Sequence, residues 1–208
     1  MGGPFLQRLR VETRPAHDLV ERVPALARLM APDLDRATYV GVLQGLHRFH
    51  AGLHTPLANA LSPLPDAAPY IDATRLDALE HDLAQLDTRP GPPADPESLP
   101  SLPTAAHALG CLYVIEGSTL GGRVIARRLR DALSLDPTNG AAFYGARSAD
   151  ETRTRFLALV AILEAAAIDP AHAGAILEAA IDTFDCFTRF MGRTAPQSYF
   201  STNAFSIT

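Results

Sequence analysis

Arg10, Thr13, Arg14, His17 and Glu21 fall at i, i+3, i+4, i+7 and i+11, the spacing that lines side chains along one stripe of a helix. The stripe is not apolar. It gathers two guanidinium groups, a hydroxyl, an imidazole and a carboxylate. A neutral imidazole can bind a transition-metal ion, and guanidinium groups can hold carboxylates. A carboxylate one turn beyond the imidazole can accept the other ring N–H and orient the ring. An iron porphyrin with two propionates would use every one of these groups. The same residues also make an ordinary solvated helix face with i,i+4 pairing, and the stripe alone does not choose between the two.

A second run, from Gly110 to Ile125, reads as helix on both sides yet holds Gly117, Gly121 and Gly122 in its middle. Each glycine inside a helix costs about 1 kcal/mol against alanine, so three need a reason. Gly110, Gly117 and Gly121 lie at i, i+7 and i+11, on one face without side chains. Either a second helix crosses closely there, or a flat ligand lies against the backbone. The glycines can also bend the helix. Tyr113 and Val114 lead into this tract, Ser118 and Thr119 supply hydroxyls, and no His or Arg stands between residues 113 and 122.

The elements that must position these groups are helical, because β-type alternation is scarce and helical spacing dominates. A first helix is expected from about Phe5 to Met30, with Leu6, Leu9, Thr13, Ala16, Val20 and Val23 near one side. Pro15 should kink it, or start a new helix capped by Thr13. A second is expected from Asp35, as N-cap, to about Leu61, bent at Pro56. A third runs from about Asp72 to Leu86, with Leu76, Leu79, Leu83 and Leu86 inward. Six prolines between Pro90 and Pro103 mark one long loop, about 87–103. The glycine helix is expected from about Thr104 to Leu133, then a connection from Asp136 to Tyr144. Two further helices follow, about Ala149–Ile168 and Pro170–Met191, and then an irregular tail from about residue 193. This is one all-α domain over 1–208.

Composition bounds the function. The chain has 208 residues, 47% of them hydrophobic, and a net charge of −5, which does not suit a nucleic-acid-binding protein. No run of about 18 apolar residues predicts a membrane span. Arg8, Arg10 and Glu12 interrupt the N-terminus before any signal-peptide core forms. Two cysteines, Cys111 and Cys186, make neither a disulfide framework nor a zinc site, and a cytoplasmic location is expected.

Taken together, the two polar and glycine-rich runs resemble the haem oxygenase family. Thr13, His17 and Glu21 match its Thr-x-x-x-His-x-x-x-Glu proximal pattern. The run Tyr113-Val114-Ile115-Glu116-Gly117-Ser118-Thr119-Leu120-Gly121-Gly122 is similar to its distal helix, most closely in bacterial members found with bacteriophytochromes. Phe143-Tyr144-Gly145, and Phe184 with Phe187 on the last helix, add weaker matches. The resemblance implies haem sandwiched between the first helix and the glycine helix, with His17 as axial ligand and Arg10 and Arg14 near the propionates. It implies a pocket built from Thr13, Glu21, Tyr113, Val114 and Phe184, with Gly117, Ser118 and Gly121 at the reacting face. The implied reaction is oxidation of haem by O2 to biliverdin, CO and free iron, with electrons from a donor such as a ferredoxin or flavin reductase. A bacteriophytochrome is an implied acceptor of biliverdin. Ser118 departs from the aspartate that many mammalian-type members carry after the first distal glycine. Glu151–Arg155 is polar where an aromatic is expected, and either Arg153 or Arg155 could reach the haem.

Other readings use other residues. A haem carrier of the same fold would need the same His17 and glycines. A di-iron bundle would need Glu-x-x-His pairs, which the chain lacks. A thiaminase-like hydrolase would need a reactive cysteine, but Cys111 and Cys186 sit among apolar residues. His47, His50 and His54 share a helix face and could bind a metal, although such a set is more often surface or packing.

Overall fold

The computed structural model describes residues 3–71 and 73–193, and among these every regular element is helical. Helix α1 (Pro4–Glu21) starts with proline in its first turn, where the missing N–H costs nothing. Its own sequence provides no side-chain cap; the cap comes from far along the chain. Glu164 accepts the N–H groups of Leu6 at 2.8 Å and Phe5 at 3.2 Å, and its charge also suits the helix dipole. The helix then continues through Pro15, so no new helix starts there. Proline removes only the bond to the Val11 carbonyl, and Val11 is exposed, so water can take that bond. Thr13 is no cap: it is buried, and its hydroxyl donates to the Leu9 carbonyl at 2.7 Å.

The break falls at Arg22–Val23 instead of Met30. Pro24 opens a short α2 (Pro24–Ala27), followed by a 3-10 turn, Arg28–Met30. Asp35 caps α3 (Arg36–Leu61) as expected, accepting the Thr38 N–H at 2.7 Å. In α4 (Thr74–Gln85), Leu79 and Leu83 are fully buried. The proline-rich loop holds only a 3-10 turn, Pro96–Ser98. It is pinned to α3 by the Ala94 N–H on the Arg48 carbonyl at 2.8 Å and the Arg48 Nε on the Pro92 carbonyl at 3.0 Å.

The expected long glycine helix is two. Helix α5 (Ala105–Ser118) tightens into a 3-10 turn, Thr119–Gly121, before α6 (Gly122–Leu133) resumes. Apolar on every side, α5 is the central helix, since such a helix is stable only when surrounded. Leu109 and Leu112 alone contribute about 1.5–3 kcal/mol each by leaving water. The connection after α6 contains one helical turn, α7 (Ala142–Gly145). It is held by the buried Asp82 carboxylate, which accepts the Ala142 N–H at 2.7 Å and the Phe143 N–H at 2.8 Å. Helix α8 (Ala149–Ala166) opens with a Ser148–Glu151 capping box, and α9 (Pro170–Arg193) closes the bundle. The tail expected beyond Arg193 lies outside the described residues.

Packing follows burial. Helix α5 lies along α9 and against α3 and α8, while α1 lies over α9 and α8. Helices α1 and α5 thus share α9 as a floor and touch each other little. The helix carrying His17 and the helix carrying the glycines therefore lie on the same helix, α9, with few contacts between them.

Candidate functional site

On the α1 side, the His17 side chain is half exposed. Its ring stands edge-on to Phe184 of α9, with centroids 5.8 Å apart and planes at 74°. Nδ1 faces Glu21 Oε1 at 3.8 Å and Asp18 Oδ1 at 3.9 Å. These carboxylates gather at Nδ1, which leaves Nε2 as the ring nitrogen for a metal. Among the described residues, His17, Asp18 and Glu21 are the set of potential ligand atoms that converge, all within 4.8 Å of one another.

Arg14 is turned to Asp18, with Nε donating at 2.7 Å, so the solvated-face reading holds for that residue. Arg10 is exposed and reaches toward α5. Burial raises the pKa of the Tyr113 phenol, while a hydrogen bond with Thr13 and the charge of Arg10 pull it down. Thr13 and Arg10 of α1 therefore lie near Tyr113 of α5, and Val114 is buried next to Tyr113 in the chain.

The three glycines read as one face divide into two kinds. A β-carbon on Gly110 would collide with the Ile176 carbonyl of α9 and stand 2.9 Å from the Ala180 nitrogen. Gly110 is thus a helix-crossing glycine, and the flat-ligand reading does not apply to it. A β-carbon on Gly117 would meet only Phe156, at 3.8 Å, and one on Gly121 nothing within 4 Å. Helix α8 borders Gly117 through Phe156 at ordinary contact distance, and the face of Gly121 is open. The Ser118 hydroxyl donates to the Ile115 carbonyl at 2.7 Å and that of Thr119 to the Glu116 carbonyl at 2.6 Å. Both hydroxyl protons are spent where the helix tightens, which leaves oxygen lone pairs as acceptors.

Several sequence candidates fall elsewhere. Arg155 does not line the open glycine face: its Nε donates to the buried Glu116 at 3.0 Å, and Arg153 is exposed. His47 approaches Glu80 at 3.4 Å, and His50 stacks near Phe49 and Phe143. With His54, these histidines do not converge as a metal site. Burial pushes the Cys111 thiol up to about 12 and that of Cys186 to about 11, the opposite of an activated nucleophile. Phe187 packs on Phe49 at 5.1 Å, as core. Reading the sequence missed the Glu116 ion pairs. The signal was present as a lone carboxylate in an otherwise apolar helix, which must find cations when buried.

The architecture is that of an all-helical protein in which a histidine-bearing helix and a broken glycine helix pack on one shared helix. A family model described as Heme oxygenase matches residues 3–193, and the chain belongs to the haem oxygenase family. A heme oxygenase of Xanthomonas campestris pv. campestris (strain 8004) is 42% identical over 97 residues, which is 47% of this chain. The chain spans little more than half of that relative, 56% of its length. Among solved structures, the NO- and CO-bound heme oxygenase of Neisseria meningitidis superposes with a TM-score of 0.71, at 24% identity over 91% of both chains. Heme oxygenase of Leptospira interrogans gives 0.71 at 18% identity, over 92% of this chain and all of that one. Heme oxygenase-2 of Synechocystis sp. PCC 6803, in complex with heme and NO, gives 0.66 at 20% identity, over 92% and 85%. These similarities share the all-helical fold. No helix among the described residues is long and apolar enough to cross a membrane.

Proposed function

We propose that the protein binds haem between α1 and α5 and cleaves it oxidatively to biliverdin, CO and free iron. The observation that carries this is the pairing of His17, half exposed with Nε2 available, and the open face of Gly121, continued at Gly117, where a β-carbon would meet nothing closer than 3.8 Å. Bound haem would supply both the iron that activates O2 and the porphyrin edge that is oxidised; electrons come from an external donor.

The residues fit such a ligand. His17 Nε2 would hold the iron, and Glu21 would accept a hydrogen bond from Nδ1–H after a small rotation closes the 3.8 Å gap. Phe184 stands beside the imidazole, and Tyr113 and Val114 would border the haem from α5. Arg10 holds a propionate, and Arg14 does so once it leaves Asp18. Thr13 fixes the Tyr113 phenol. Gly117 and Gly121 let the backbone approach the haem face, a distance no side chain would allow. The Ser118 oxygen accepts a water proton and so helps to order water there. No His or Arg stands between residues 113 and 122, and Glu116 is held by Arg75 and Arg155, so ordered water would be the proton source at this face. A ferredoxin or flavin reductase is the proposed donor, and a bacteriophytochrome a proposed acceptor of the biliverdin.

The test is aerobic incubation of the haem complex with ascorbate, followed by product identification. Biliverdin and CO are expected. Haem retained unchanged would make the protein a haem carrier instead.

A further inference from the structure

Glu116 precedes Gly117 in the last turn of α5, and it is 3% exposed. Each of its carboxylate oxygens is held by an arginine from a different helix. Arg75 Nη2, from α4, donates to Oε1 at 3.1 Å; Arg155 Nε, from α8, donates to Oε2 at 3.0 Å. Arg75 is itself deeply placed: burial lowers its pKa and Glu116 raises it again. Arg155 is fixed in turn. Its Nη1 donates to the Pro69 carbonyl at 2.8 Å, its guanidinium lies 4.5 Å from the Tyr70 ring centroid, and its carbonyl accepts the Tyr70 hydroxyl at 2.8 Å. The backbone of Glu116 is committed too, since its carbonyl accepts the Thr119 hydroxyl where the 3-10 turn begins.

The stretch that follows is bordered by α8, the helix of Arg155, with Phe156 near Gly117. Gly117 and Gly121 bring no side chains, and nothing packs on the face of Gly121. A helix broken at glycines moves unless its flanks are pinned. A buried ion pair adds little net stability, yet it permits only one geometry, which is what a hinge needs.

We infer that Glu116, clamped between Arg75 and Arg155, is a positioning residue that sets how closely the Gly117–Gly121 backbone approaches the haem face. It thereby sets how tightly that backbone restrains a diatomic ligand on the iron. The inference rests on the proposed haem site.

Carbon monoxide is the probe. Haem complexes of the wild type, Glu116→Gln, Arg155→Met and the double variant are reduced and exposed to CO, and the C–O stretch and CO dissociation rate are recorded. Gln turns an amide donor toward an arginine and breaks one arm of the clamp; Met removes the other arm while keeping the stem. Each single variant is expected to bind haem as the wild type does, because α1 is untouched. Each broadens or splits the C–O band and speeds CO dissociation roughly tenfold, the scale of one coupling lost from a polar network. The double variant is no worse than the stronger single one, since the clamp acts as a unit. Arg155→Lys, with the charge but not the fork, restores part of the effect. A lower melting temperature with a wild-type C–O band and rate would make the clamp merely structural and overturn the inference. If Glu116→Gln fails to fold, Arg155→Met decides by the same readings. Failure of the wild type to bind haem would overturn the proposed function instead.

Discussion

Phe184 of α9 meets His17 of α1 edge-on, at a centroid separation of 5.8 Å and an interplanar angle of 74°. The contact limits rotation of the imidazole from behind while Glu21 and Asp18 approach Nδ1 from the side. The ring is thus oriented by two helices without its Nε2 being used.

His17→Ala is expected to leave the fold intact, changing stability by no more than about 0.5 kcal/mol, because the side chain is half exposed. The haem complex should lose its normal Soret and ferrous-CO spectra, and added imidazole should restore them. Unchanged spectra would remove His17 from the ligand role.

Gly110 and Gly121 should respond in opposite ways. Gly110→Ala drives a methyl group into the backbone of α9 and should cost about 1–3 kcal/mol or more in thermal or urea unfolding. Gly121→Leu meets open space, so the melting temperature should hold while biliverdin formation stops. Wild-type turnover by the leucine variant would mean that the ligand lies on another face.

The two arginines of α1 should not contribute equally. Arg14 is already paired with Asp18, whereas the charge of Arg10 is felt at Tyr113 of α5. Exposed pairs are worth about 0–1 kcal/mol, so Arg10→Ala, Arg14→Ala should weaken haem affinity only modestly. Most of that effect should appear in Arg10→Ala alone. Loss of the propionate anchor should also blur the biliverdin isomer pattern, read by chromatography. One identical isomer at equal rate from wild type and double variant would assign the propionates to other groups.

The acid side of the stability curve should carry the signature of His50. Burial, then the charges of Arg75 and His47, lower its pKa from 6.5 to about 3. Below pH 6.5 the unfolded chain takes up a proton that the folded chain refuses. The contribution of this group is therefore whole above that pH and is lost as pH falls toward about 3. Urea midpoints at about pH 8 and about pH 5 should drop more for the wild type than for His50→Gln. Equal drops would show that other groups govern this range.

The thiols should be silent. With Cys111 at about 12 and Cys186 at about 11, both buried, the folded protein should resist alkylation at mildly alkaline pH and label fully once unfolded. Rapid labelling of Cys111 in the folded state would reopen the reading as a cysteine hydrolase.

The helical class, the Asp35 cap, the proline-rich loop and the stripe from Arg10 to Glu21 were legible in the sequence, because periodicity and capping are local properties of the chain. The pattern around His17 and the glycine run also carried the family. What local pattern could not supply was anything set by a partner distant in the chain. Continuous helix across Pro15 depends on exposure of Val11 to water, and the start of α1 depends on Glu164, more than 150 residues away. Gly110 and Gly121 are the same residue type on one helical line; only the presence of α9 over one and open space over the other separates a packing glycine from a candidate binding surface. Arg155 stood in sequence as a candidate for the haem, and the burial of Glu116 claimed it. A buried carboxylate must be neutralised by whichever cations the fold brings near, and that choice is made in three dimensions.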